Sequence, residues 1–334
     1  MNGSYRRGFT LVELLVVTGL MAGLLGLVLT VGRPSGRSQV GQTLQNLSSA
    51  VISTQTRALG KDAGAALLLE PGTNGMVPHA CNTMLSGDVQ PFVTGSCVTG
   101  MPPADLALAS TTVSLSSPDN GSNADLQQGY RIRFSGTAPA TPASPWFRFV
   151  CTGDPTTCTV SLRTDANQFI DNTVWPRGAP GVFLRYEVSR YPQKGPPIGE
   201  PVKQAAIDLR YSGVGDTGVG DYAALASTNA NKGVVAICFD RDGRLDSVMQ
   251  YGSGSVPSVQ PLTPTAPLYL LVATVADIQD GRSLQSASSR WLAIAPSTGR
   301  VSIAANISVA GTTPADIAAA RANARLGVTQ GVGR

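Results

Sequence analysis

Hydrophobic and polar positions along this chain fall into three rhythms. Residues 9–32, FTLVELLVVTGLMAGLLGLVLTVG, form an almost unbroken apolar run after the polar leader MNGSYRRG. As a helix, a run of that length would extend about 36 Å, more than the roughly 30 Å of a bilayer's hydrocarbon core. Arg6 and Arg7 stand before it, which by the positive-inside rule predicts a cytoplasmic leader and a head on the far side. Gly32, Pro34 and Gly36 interrupt the run, and a helical stripe follows at Val40, Leu44, Leu47 and Val51, with Ser, Gln, Thr and Asn between, to about Leu59. This stripe is expected to pack under a sheet.

Beyond residue 63 the rhythm is that of strands. Ala65–Glu70 ends at the Pro71-Gly72 turn signal, and β-rich segments recur at Tyr130–Phe134, Trp146–Cys151, Cys158–Arg163, Gly181–Arg190, Ala205–Tyr211, Leu268–Val275, Trp291–Ile294 and Arg300–Ala304. Gly233–Asp240 and Leu245–Tyr251 flank Arg241-Asp242-Gly243-Arg244 and read as a hairpin. Ala315–Arg325, preceded by Thr312, Thr313 and Pro314, reads as a short Ala-rich helix. The stretch from 71 to 230 carries no larger pattern of its own.

Composition narrows the function. Only 14% of the 334 residues are charged, against about 25% in ordinary soluble domains, so Ser, Thr, Ala and Gly cover the surface. The net charge of +4 is scattered, which excludes the basic stripe of a nucleic-acid face. His79 is the sole histidine, and no G-x-S-x-G, H-E-x-x-H or P-loop motif occurs, so no enzyme chemistry, metal or cofactor is expected. Asp240, Asp242 and Asp246 offer oxygens near Gly243, but without the spacing of a calcium loop, and the turn explains them equally well.

One residue interrupts the N-terminal run. Glu13 is the only charge between Arg7 and Arg33, and a carboxylate in an apolar environment persists only where something compensates it. Its context, Arg6-Arg7-Gly8-Phe9-Thr10-Leu11-Val12-Glu13, resembles the leader of type IV pilins and type II secretion pseudopilins. The hairpin after Phe239, with Asp242-Gly243, and the Thr-Gly-Arg turn at 298–300 resemble the C-terminal sheet of the H-type minor pseudopilins. The resemblance implies cleavage by a prepilin peptidase between Gly8 and Phe9, N-methylation of Phe9, and pairing of Glu13 with the N-terminal amine of a neighbouring subunit. It further implies a structural filament subunit of an α+β fold, a long N-terminal helix packed on an antiparallel β-sheet head. A single-pass bacterial inner-membrane location with a periplasmic head, other pilin or pseudopilin subunits and an inner-membrane assembly platform with its ATPase belong to the same expectation. The divisions would be leader 1–8, transmembrane helix 9–32, its periplasmic continuation 33–62, β-rich head 63–311, and a short helix with a tail at 312–334. A secretory signal peptide fits less well, because its apolar region is shorter, about 7–15 residues. A plain uncleaved anchor explains neither Gly8-Phe9 nor Glu13. The alternative of another class is a membrane-anchored periplasmic ligand-binding or adhesion module.

An oxidising compartment would favour disulfides among the five cysteines. Cys151 and Cys158 flank a six-residue loop between strand candidates and suit a hairpin-closing bridge; Cys81 and Cys97 are a second candidate pair. Cys238, in Val-Val-Ala-Ile-Cys-Phe, reads as a buried free thiol.

Overall fold

The computed structural model describes residues 15–21, 36–71, 80–99, 110–135, 144–151, 157–161, 184–200, 203–216, 234–251, 259–262 and 264–330. Helix α1 (Gly36–Ala58) lies across one face of a ten-stranded antiparallel sheet. The strands on its main path run, in spatial order, β13 (Val259–Leu262), β12 (Leu245–Tyr251), β11 (Val234–Phe239), β1 (Ala65–Pro71), β2 (Ala80–Asp88), β10 (Ala205–Val214), β14 (Leu268–Thr274), β15 (Arg290–Ile294) and β16 (Val301–Ala305). β9 (Gln193–Pro197) pairs with the end of β2.

The apolar stripe of α1 drives this contact. Val40, Leu44, Leu47 and Val51 are all buried, with Leu67 and Leu69 of β1, Val235 and Ile237 of β11, and Leu270 and Val272 of β14. β1 is apolar on both faces because both are covered: Ala66 and Leu68 point away from α1 into a second cluster with Ala236, Met249 and Tyr130. Between α1 and β1 the chain turns at Gly64, φ 75°, where a Cβ would come within 1.9 Å of the Phe239 carbonyl oxygen. Any other residue there pushes β1 off β11.

The sheet's second face carries two further layers. Helix α4 (Pro314–Gln330) packs Ile317, Ala320 and Ala324 against Trp291, Tyr269 and Leu271. Its Arg321, fully buried, donates to the carbonyls of Gly215 and Tyr211 at 2.9 and 2.8 Å. Short helix α3 (Val275–Gln279) is capped by Thr274, whose hydroxyl accepts the Asp277 amide. Beside these elements stands a closed six-stranded barrel in the order β3 (Val93–Thr99), β4 (Ser110–Leu115), β7 (Thr157–Ser161), β6 (Phe147–Cys151), β5 (Gly129–Ser135) and β8 (Leu184–Arg190), with helix α2 (Asn123–Gln127) between β4 and β5. Its interior is a separate core of Val93, Leu126, Ile132, Phe134, Phe147, Phe149, Val160, Tyr186 and Val188. The chain leaves the large sheet after β2, completes the barrel and returns at β9, so Asp88 and Gln193 lie opposite each other.

This architecture corrects the pilin-type expectation. The described residues are mainly β, in two sheets, one of them a closed barrel, and the helices they show on the N-terminal side are the stretch 15–21 and the 23-residue α1. Among the described residues the α+β fold of one long helix on a single-sheet head is not what forms. The barrel strands β3 and β4, rich in Ser and Thr, escaped the sequence reading and supply the pairing that closes the barrel, and β2, β9 and β13 of the large sheet escaped it as well. The likeness to pilins and pseudopilins therefore does not extend to the fold. The single-pass inner-membrane anchor with a periplasmic head is corrected as well: among the described residues no helix is long and apolar enough to cross a membrane, since α1 carries Arg37, Gln42, Gln45, Ser49, Ser53 and Thr56 on its outer face. Most of the run expected to span, at 9–14 and 22–32, lies outside the described residues.

Candidate functional site

The barrel meets the large sheet at a bulge. Opposite β8 the register of β5 shifts between Gly129 and Arg131, which leaves Tyr130 as an extra residue. Tyr130 is buried against Leu68, Ala236 and Cys238 of the large sheet, and its ring packs on Tyr191 at 5.0 Å. Past Tyr130 the strand presents Arg131 and Arg133 on one side, while Ile132 and Phe134 fill the barrel.

The two arginines thread a ladder of aromatic rings. Arg131 stands 5.0 Å from the Tyr130 ring and 5.2 Å from that of Trp146; Arg133 stands 4.7 Å from Trp146 and 5.5 Å from Phe92. Trp146 and Phe92 pack on each other at 5.3 Å, and both are half-buried. Each guanidinium also has a carboxylate. Arg133 Nε donates to Glu187 within the barrel at 2.6 Å, whereas Arg131 pairs with Asp246 of β12, across the junction. Arg131 is only 4% exposed. Burial works against its charge, and Tyr130 and Asp246 beside it more than restore it, so its pKa lies above the ordinary guanidinium value. Burial also pushes the Tyr130 phenol up to about 12, so it stays neutral.

Between this ladder and the β11–β12 turn lies a cleft of about 440 Å³. Its far wall is formed by Asp62, Asp240, Arg241 and Asp242. Asp240 Oδ1 accepts the amides of Asp242 and Arg244 at 2.9 and 2.8 Å, and Gly243 takes the left-handed φ of 77° that closes the turn. Asp62 and Asp242 project to solvent and meet Arg241 only at 3.5 and 4.0 Å. One wall is thus a locked stack of paired charges, and the other a rigid turn with loosely paired ones.

The residues singled out from sequence are distributed differently. Gly8, Phe9 and Glu13 lie outside the described residues, as does His79. Cys151 and Cys158 form a disulfide across adjacent positions of β6 and β7. Cys81 and Cys97 do not form a disulfide with each other: Cys81 is buried in the large sheet, Cys97 is buried in the barrel with its thiol donating to the Ser114 carbonyl at 3.5 Å, and Cys238 is buried in the large sheet. Burial pushes the Cys238 thiol up to about 12 and that of Cys81 higher still, so neither is a nucleophile at neutral pH. Asp240, Asp242 and Asp246 do not converge; among the described residues no cluster of three or more candidate ligands could hold a metal ion. The ladder itself was missed. Its signal is the alternation Tyr-Arg-Ile-Arg-Phe at 130–134, which puts two guanidiniums on the outer face of one strand.

No family matches the chain, and no curated protein or solved structure is similar to it.

Proposed function

We propose that this protein is a non-enzymatic structural subunit that enters a filament of the pilus or pseudopilus kind through its N-terminal segment, after a prepilin-type peptidase cuts between Gly8 and Phe9. The observation that carries this reading is the helical stretch at 15–21, whose Leu15, Val16, Val17, Leu20 and Met21 are 65, 53, 47, 63 and 62% exposed. A helix apolar on every side needs cover that the rest of the described chain does not supply. The same segments of neighbouring subunits supply it. Within such a bundle the Glu13 carboxylate and the new amine of Phe9 on a neighbour offset each other's burial only at one stagger, and the pair therefore sets the axial register. The assembly platform and other filament subunits are the partners of this reading.

The test is co-expression with a prepilin peptidase and the assembly machinery. Intact mass should fall by residues 1–8, and Glu13→Gln should be cut normally yet enter filaments about tenfold less than wild type, the loss expected when one buried charge has no partner. An uncut chain, or normal incorporation of Glu13→Gln, overturns the proposal.

A further inference from the structure

We propose that the cleft between the barrel and the β11–β12 turn binds a neutral saccharide of one or two rings. This inference concerns the head alone and stands independently of filament assembly. The cavity, about 440 Å³, falls in the range of roughly 300–1,000 Å³ typical of small-ligand sites.

Its chemistry selects the ligand. An anion approaching Arg131 or Arg133 meets Asp246 and Glu187, which already neutralise those guanidiniums. A cation approaching Asp62 or Asp242 meets Arg241 on the same wall and the ladder opposite. A permanent charge of either sign therefore displaces an existing ion pair or sits beside a like charge. Hydroxyl groups do neither, because each can donate to a carboxylate and accept from a guanidinium at once. The cleft offers both kinds of partner within one cavity, on a turn held by the Asp240 side chain and a ladder held by two ion pairs, so little ordering is needed on binding.

The apolar contribution comes from Trp146 and Phe92. Both are large aromatic residues left half-buried in a mainly polar cavity, and a sugar ring presents an axial C–H face that such rings cover. Small apolar ligands lack partners for the carboxylates, and planar charged ligands fail on electrostatics.

The full-length protein, applied to an array of neutral, sialylated and sulfated glycans, should retain at least one neutral glycan, whose affinity is then measured by calorimetry. Asp242→Asn and Arg241→Gln, both at exposed positions, should fold as wild type and each weaken that affinity about tenfold. Trp146→Ala should abolish it. Retention of no neutral glycan, a preference for acidic glycans or for a trilysine peptide, or unchanged affinity in the Asp242 and Arg241 variants overturns the proposal. None of these outcomes depends on peptidase cleavage or on Glu13.

Discussion

At the scale of single residues, Asp125 shows how one carboxylate ties a loop to a strand. In α2 its Oδ2 accepts the Ser122 amide at 2.7 Å and the Ser122 hydroxyl at 2.9 Å, and Arg190 of β8 donates to Oδ1. The Ser122 amide, then the Ser122 hydroxyl and the Arg190 charge, hold its pKa below the usual carboxylate value despite partial burial. A lowered folded-state pKa favours the native state above the unfolded value of about 3.8, and this contribution disappears as pH falls through the folded value. Asp125→Ala should cost about 0.5–1 kcal/mol at pH 7 in urea unfolding, and that difference from wild type should vanish near pH 2. A difference that persists in acid would show that lost packing rather than charge is responsible. Individual residues were also where the sequence was most legible. The Cys151–Cys158 bridge follows from a short loop between two strands, while the supposed Cys81–Cys97 pair fails because its members belong to different cores. Proximity in sequence indicates a partner only when both residues stay in one element pair.

At the scale of elements, α1 and β1 were readable because each makes its pattern alone. The stripe Val40, Leu44, Leu47, Val51 has helical spacing, and the run AALLL is apolar because both faces of β1 are covered. Leu47→Ala should cost about 3 kcal/mol, by leaving a cavity between α1 and the sheet. Ile52→Ala, on the outer face of the same helix and 52% exposed, should stay within about 0.5 kcal/mol. Equal effects in chemical denaturation would contradict the docking of α1. Two of the barrel strands, β3 and β4, were harder to see. β4, Ser-Thr-Thr-Val-Ser-Leu, buries Val113 and Leu115 while Ser110 and Thr112 stay exposed, and its outward Thr and Ser look like loop in the sequence. The Tyr130 bulge leaves no trace in composition, because it exists only through the register with β8. The candidate cleft depends on that register and was therefore invisible until the fold was known.

At the scale of the molecule, two cores share one chain. The large sheet with α1 and α4 is built from residues before 89 and after 192, and the barrel from those between. Each buries its own apolar set, and the junction rests on Tyr130, Tyr191 and the Arg131–Asp246 pair. Replacing residues 89–192 by a short Gly-containing turn should leave a sheet that unfolds in a single cooperative transition, at a lower temperature than the intact protein, by calorimetry and far-UV circular dichroism. Loss of cooperativity would mean that the barrel is needed to complete the larger core.

The meeting of Asp88 and Gln193 on neighbouring strands has a consequence for descent as well as for stability. An excursion whose exit and entry are side by side can be lengthened, exchanged or removed while the strands on either side stay paired. The large sheet with its helix then acts as a chassis, and the barrel as an interchangeable fitting. Related chains would differ most in that fitting, and a new specificity could be installed there without redrawing the face that carries α1.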